Sequence, residues 1–170
     1  MKWSVLTLVG ADKPGIVAEV TQALFDQGCI LAQASMMRLG SNFAIMLRVS
    51  HQAETSLKDA LADVCARLEL HLHLDEDAAE KLPAVDPDVQ VTVYGTDRPG
   101  IVAQVTSALA QAGLNIIDLE TDLGGSEENP IYVMNLEGVA TKGIEPLRKA
   151  VESLDSDIEI NLDEINTLRG

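Results

Sequence analysis

An α+β protein built from two tandem β-α-β-β-α-β modules is what the sequence predicts, and three observations carry that prediction. Gly10–Gly28 (GADKPGIVAEVTQALFDQG) and Gly95–Gly113 (GTDRPGIVAQVTSALAQAG) share twelve of nineteen residues at a constant offset of 85, half the length of the 170-residue chain. Chance does not give that density, so the chain reads as a duplication. Apolar residues also switch between a period of two and a helical period in the same order in both halves. Between the halves, Asp75–Asp88 (DEDAAEKLPAVDPD) is acidic, carries Pro83 and Pro87 and loses all periodicity, which is the composition of a linker. The expected organisation is a first module at 1–75, an acidic linker at 76–87 and a second module at 88–170.

The elements follow in order. Val89, Val91 and Val93 alternate with Gln90, Thr92 and Tyr94, the pattern of a half-buried strand ending at Gly95, and Leu6 and Leu8 hold equivalent places in the first half. After each Asp-Lys/Arg-Pro-Gly turn, Ile16, Val17, Val20, Ala23 and Leu24, and their counterparts Ile101, Val102, Val105, Ala108 and Leu109, recur at helical spacing until Gly28 or Gly113 ends the helix. Pro14 and Pro99 suit a first helical turn, where a missing N–H costs little. Two strands then form a hairpin, reversing at Gly40-Ser41-Asn42 in the first half and over the longer Gly124–Pro130 segment in the second. A second helix is marked by Leu57, Ala60, Leu61, Val64 and Leu68, and in the other half by Ile144, Leu147, Val151 and Leu154 with Pro146 near its start. Last strands alternate Leu70, Leu72, Leu74 and Ile158, Ile160, Leu162 with polar residues. Each module is thus expected to be a four-stranded antiparallel sheet with two helices on one face, the ferredoxin-like arrangement. A module of that size has a limited core and a bare sheet face, which makes a homodimer an expectation.

Composition narrows the function. A net charge of −15 would repel a phosphate backbone, which argues against direct nucleic-acid binding. The aromatics, Trp3, Phe25, Phe43, Tyr94 and Tyr132, are scattered rather than paired for base stacking. No apolar run is long enough to span a bilayer and no secretory pattern opens the chain, so a cytoplasmic protein with no membrane partner is expected. Cys29 and Cys65 lack CxxC or CxH spacing and read as buried reduced thiols. His71 and His73 alternate on one strand face, but no other ligand completes a metal site at recognisable spacing. His51 ends a predicted strand, and no nucleophile is paired with a base. No catalytic residue, metal or cofactor is assigned.

The doubled loop Gly-x-Asp-Lys/Arg-Pro-Gly-Ile-Val-Ala is the remaining candidate. It joins the first strand to the first helix, where unpaired N–H groups and the helix dipole favour an anion such as a carboxylate or phosphate. It is neither a Walker A loop, since Ile101 and Val102 follow Gly100, nor a GxGxxG fingerprint. The plainer alternative is that Asp12 and Asp97 only satisfy local N–H groups while Pro and Gly set the turn.

Two such modules, with DKPGIVAEVTQAL, DRPGIVAQVTSAL and Gly113-Leu114-Asn115-Ile116, resemble ACT domains, small amino-acid-sensing modules, over nearly the whole chain. A chain of two such domains is similar to the glycine cleavage system transcriptional repressor family. That resemblance implies a non-enzymatic protein that contacts a DNA-binding transcriptional regulator of the glycine cleavage operon under the control of a small amino acid, glycine or serine. The alternative it leaves is an accessory regulatory subunit of an amino-acid or one-carbon metabolic enzyme. By position it implies ligand contacts from Asp97, Arg98, Pro99, Gly100, Ile101 and Asn115 in the second module. An Asp carboxylate can accept from an ammonium group, while loop N–H groups and the Asn amide can meet a carboxylate. The first module has Ile30 where the second has Asn115. The expectation is therefore one competent loop, or one composite site in which Asp12, Pro14, Gly15 and Ile16 form the opposite wall.

Overall fold

The computed structural model describes residues 1–76, 78, 85–96, 98–126, 129–154 and 157–165, and divides into two compact units, 1–82 and 83–170. Most of the expected acidic linker at 76–87 lies outside the described residues. In the first unit the order is β1 (Lys2–Ala11), α1 (Ile16–Asp26), β2 (Ile30–Leu39), β3 (Asn42–His51), α2 (Leu57–Leu68) and β4 (His71–Asp75). In the second it is β5 (Val89–Thr96), α3 (Ile101–Gln111), β6 (Leu114–Ser126), β7 (Asn129–Ala140), α4 (Ile144–Glu152) and β8 (Ile158–Glu164). The sheets are antiparallel with orders β2-β3-β1-β4 and β6-β7-β5-β8, so each module is the expected α+β sheet with two helices on one face.

Period-two burial builds the core. Leu6 and Leu8 of β1 and Ile45, Leu47 and Val49 of β3 share one buried cluster with Ile16, Val20 and Leu24 of α1 and Leu57, Leu61, Val64 and Leu68 of α2. In the second module Val89, Val91, Val93, Met134 and Leu136 meet Ile101, Val105, Leu109 and Leu147 in the same way. The helices cover one face only, and the alternate strand residues form an open face.

One local expectation is corrected. Pro14 and Pro99 do not open the helices; α1 and α3 begin at Ile16 and Ile101, after Gly15 and Gly100 in the left-handed region at φ 91° and 90°. That conformation suits glycine, and the proline sits one residue earlier in the turn. The second hairpin reverses within Gly124–Pro130 as expected, with Gly124, Gly125 and Ser126 paired to Ile131, Pro130 and Asn129. Both hairpins carry one irregularity on the edge strand, between Leu31 and Gln33 and between Ile116 and Asp118, at matching places in the two copies.

Candidate functional site

The two copies of the loop both end on a left-handed glycine, Gly15 or Gly100, and differ in the partners of the residues before it. In the first, the Asp12 amide donates to the Ser41 carbonyl at 2.8 Å and the Asp12 carboxylate is paired with the Arg38 guanidinium at 2.8 Å. Lys13 reaches the Glu69 carboxylate at 2.5 Å. Glu69 is the left-handed residue (φ 57°) that closes α2, and the Lys13 hydrogen bond and charge hold its carboxyl below the usual glutamate range. Each charged group of the first loop is therefore engaged inside its own module, by residues of the hairpin and the helix end.

The second copy is built differently. By strand register, Leu123, paired with Tyr132, stands where Arg38, paired with Phe43, stands in the first module, so no guanidinium occupies that place. Arg98 donates to the Gln104 amide oxygen at 2.9 Å. Asp97 lies outside the described residues. Beside this loop the end of the sheet opens into a shallow cleft of about 660 Å³, lined by Tyr94, Gly95, Thr96, Pro130, Ile131, Asp157, Ile158 and Glu159, a volume within the range of small-molecule sites. Tyr94 and Glu159 face each other across β5 and β8, and a Cβ built on Gly95 would lie 3.1 Å from Ile101 Cδ1. The first residue of α3 thus packs under the cleft.

The matching glycines of the two modules differ in what surrounds them. A Cβ on Gly10 would lie 2.8 Å from Leu70 Cδ2 and 2.9 Å from the Glu69 carbonyl, whereas at Gly95 the matching backbone oxygen, that of Asp157, is 3.8 Å away. An added Cβ at Gly10 would therefore be crowded by the chain leaving α2, while at Gly95 the tightest neighbour is the Ile101 side chain. Tyr94, Asp157 and Glu159 were not among the residues expected from the sequence. Their convergence depends on β8 pairing beside β5, for which no local signal exists.

Asn115 is not brought to its own loop. The loop leaves β5 at Thr96, which pairs with Ile131, while Asn115 pairs with Val139. Those positions on β7 are eight residues apart, roughly 25 Å along a strand. One small amino acid cannot touch both the loop and Asn115 within a single module, where Asn115 sits exposed at the far end of the edge strand.

The remaining polar contacts lie outside the cleft. One serine and one histidine meet in the first core. Ser4 Oγ lies 3.0 Å from His51 Nε2, and His51 Nδ1 lies 2.8 Å from the Gln52 carbonyl. Both side chains are buried in the core, Ser4 at 1% and His51 at 5% exposure, where no substrate reaches them. His73 contacts Asp75 at 3.2 Å. Among the described residues no three His, Cys, Asp or Glu side chains converge on a metal position. Cys29 and Cys65 are free thiols packed against the first core, and burial raises both above the ordinary thiol range. No helix among the described residues is long and apolar enough to cross a membrane.

A duplicated βαββαβ module with a strand-to-helix Asp-x-Pro-Gly loop at the mouth of each sheet defines a class of small paired α+β domains. Residues 4–75 and 88–163 both match the model of the ACT domain, and the chain belongs to the ACT-domain family. Its sequence is 29% identical over 117 residues to the glycine cleavage system transcriptional repressor of Escherichia coli (strain K12), a match spanning 68% of this chain and 62% of that protein. Among solved structures, an unknown protein from Galdieria sulphuraria is similar with a TM-score of 0.77 at 24% identity, covering 96% of this chain and 98% of that one. A candidate glycine cleavage system transcriptional repressor is similar with a TM-score of 0.67 at 19% identity, covering 98% of each chain. At these identities the structures speak for the fold.

Proposed function

We propose that this chain is a non-enzymatic regulatory protein that takes a small amino acid, glycine or serine, beside the loop of its second module and thereby changes its contact with a DNA-binding transcriptional regulator of the glycine cleavage operon. The observation that carries the ligand half is the cleft at the end of β5, lined in part by Tyr94, Asp157 and Glu159. Its chemistry suits a zwitterion. Asp157 and Glu159 offer carboxylates to an ammonium group, with Asp97 of the same loop a further candidate by sequence, and the first turn of α3 after Gly100 offers N–H groups and the positive end of a helix dipole to a carboxylate. The residues from Arg98 to Ile101 act through that backbone. Asp12, Pro14, Gly15 and Ile16 serve the architecture of the first module.

The transcriptional half is supported by the sequence similarity to the repressor and by the charge of −15, which favours a protein partner over direct contact with nucleic acid. The ligand can alter that contact only to the extent that it favours one state of the protein over another. Calorimetric titration of the full chain with glycine and with serine tests the reading. Saturable binding is expected, weakened about tenfold or more by Asp97→Asn or Glu159→Gln, each of which removes a charge-assisted bond, and unchanged by Asp12→Asn. Absence of saturable binding, or equal damage from Asp12→Asn and Asp97→Asn, overturns it. Asn115→Ala separates two versions of the site: unchanged affinity assigns the ligand to one module, and a loss assigns Asn115 to a site completed by a second chain.

A further inference from the structure

Two of the chain's three histidines stand where neither the core nor the amino-acid site uses them. His71 and His73 lie two residues apart on β4, an outer strand of the first sheet. The strand alternates: Leu72 and Leu74 pack against the first core, while His71, His73 and Asp75 are exposed. By register His71 stands beside Val9 and His73 beside Thr7, so both imidazoles rise from the face of the sheet that the helices leave open. Two residues of strand advance about 7 Å, a spacing at which two rings on one face can lean together over a single ion.

His73 is already turned for such a contact. Its Nε2 lies 3.2 Å from Asp75 Oδ1. A carboxylate beside one ring nitrogen favours the tautomer with the hydrogen on that nitrogen and leaves the lone pair of the other, here Nδ1, to a metal. The same carboxylate makes the ring a stronger donor.

The fold itself does not require the imidazoles. Gln90 and Tyr94 are the counterparts of Val5 and Val9 at the repeat offset, so by register Glu159 and Asn161 stand where His71 and His73 do, and Asp163 where Asp75 does. The second module builds the same strand with the acid kept and both histidines replaced.

We propose that His71 and His73 form a two-imidazole site for a transition-metal ion of the Zn²⁺, Ni²⁺ and Cu²⁺ class, with Asp75 orienting His73 and water completing the coordination. Two protein ligands rather than three accord with the finding that no triad of His, Cys, Asp or Glu side chains converges on a metal position among the described residues. The ligand type selects the class of ion, because imidazole nitrogen suits these metals, whereas Mg²⁺ and Ca²⁺ take oxygen ligands. A cleft of about 430 Å³ bordered by His73, Asp75, Lys58 and Glu76 leaves room for the waters. The charge of −15 raises the concentration of cations near the surface. With only two side chains as ligands, the ion is held exchangeably. The inference is independent of the amino-acid site, since the lining of that cleft belongs wholly to the second module.

Calorimetric titration of the untagged full chain with NiCl₂ tests it, Ni²⁺ being chosen because, unlike Cu²⁺, it does not oxidise the free thiols Cys29 and Cys65. Saturable binding of one Ni²⁺ per chain is expected, weakened about tenfold or more by His71→Gln and by His73→Gln, and by a smaller factor by Asp75→Asn. The circular dichroism spectrum is expected to stay unchanged in all three, because the side chains are exposed. Zn²⁺ is expected to displace Ni²⁺, and Mg²⁺ at the same concentration to leave it bound. In NMR spectra the paramagnetic ion is expected to broaden the ring signals of His71 and His73 first. Absence of saturable Ni²⁺ binding overturns the proposal, as does an affinity that survives either histidine variant or broadening that begins elsewhere. Displacement by Mg²⁺ as effective as by Zn²⁺ would also overturn it, because that is the behaviour of a merely acidic surface.

Discussion

The buried Ser4–His51 pair gives the most exacting test of how the first core is held. Gln52 can only accept at its carbonyl, so the neutral His51 ring carries its proton on Nδ1 and presents Nε2 as an acceptor, to which the Ser4 hydroxyl donates at 3.0 Å. Ser4→Ala removes that hydroxyl with almost no change of volume and leaves a ring nitrogen unpaired in a site only 5% exposed. An orphaned buried acceptor costs about 1–3 kcal/mol. For a module of this size, a loss of about 2 kcal/mol lowers the melting midpoint by roughly 8–16 °C. Calorimetry on the full chain is the assay, and because two modules need not unfold together, only the first module's transition is expected to fall. The double variant Ser4→Ala/His51→Ala closes a cycle, with an expected coupling of about 1 kcal/mol. A first-module transition unmoved by Ser4→Ala, or additive single and double variants, would refute the reasoning. The sister module shows that the frame tolerates an apolar solution: by register Val89 stands for Ser4, and Ala140 for His51.

Three further outcomes are expected. Gly138→Ala puts a Cβ 2.5 Å from the Asn115 carbonyl and 2.9 Å from Leu114 Cδ1, so the β6 backbone must move; a loss of about 3 kcal/mol is expected in the second module, measured by denaturant unfolding, with Gly124→Ala, whose Cβ meets nothing nearer than 3.9 Å, as the tolerated control. The Glu69 carboxyl is expected to titrate below the ordinary glutamate range by NMR and to return toward it in Lys13→Met. Because its folded value is lowered, what the pair contributes to stability is present above the unfolded-state pKa and lost as pH falls through the folded one, and an unshifted Glu69 signal would contradict the pairing. Burial raises Cys29 and Cys65, so both are expected to react with a disulfide reagent at mildly alkaline pH more slowly than in the denatured chain, where the thiolate is more populated; equal rates would count against it.

Much of the fold was readable because the duplication supplied two independent copies of each pattern. Val89, Val91 and Val93 announce a strand by alternation, and Ile16, Val20 and Leu24 announce a helix by spacing, since both patterns are set by the element's own geometry. What stayed hidden was decided by strand order. Arg38 reaches Asp12 only because the β2–β3 hairpin returns alongside β1, and Glu69 reaches Lys13 only because α2 ends beside the first loop. Asn115 follows soon after the second loop in sequence, but α3 carries the chain back along the sheet, so β6 starts at the end opposite the loop. A chain read locally places the two together; the antiparallel register separates them.

The same strand order explains how one ancestral loop could come to two uses. In the first module the cation that neutralises Asp12 comes from β2, so closing the loop also removes the last charge from that edge. A loop freed for a ligand would release Arg38 and interrupt the apolar surface around Met36, Met37 and Leu39. In the second module Leu123 stands at the Arg38 position and β6 carries acids at alternate places, so the loop is left without that partner and the edge is acidic. Loop and edge are coupled through a single residue position, and each module holds one consistent pair of states. Exchanging that position alone, by Arg38→Leu, should therefore release the Asp12 carboxylate without opening the first module to a ligand, because Leu70 and Glu69 still press on Gly10. Calorimetric titration that found a second amino-acid site in Arg38→Leu would show instead that the ion pair, and not the packing at Gly10, keeps the first loop closed.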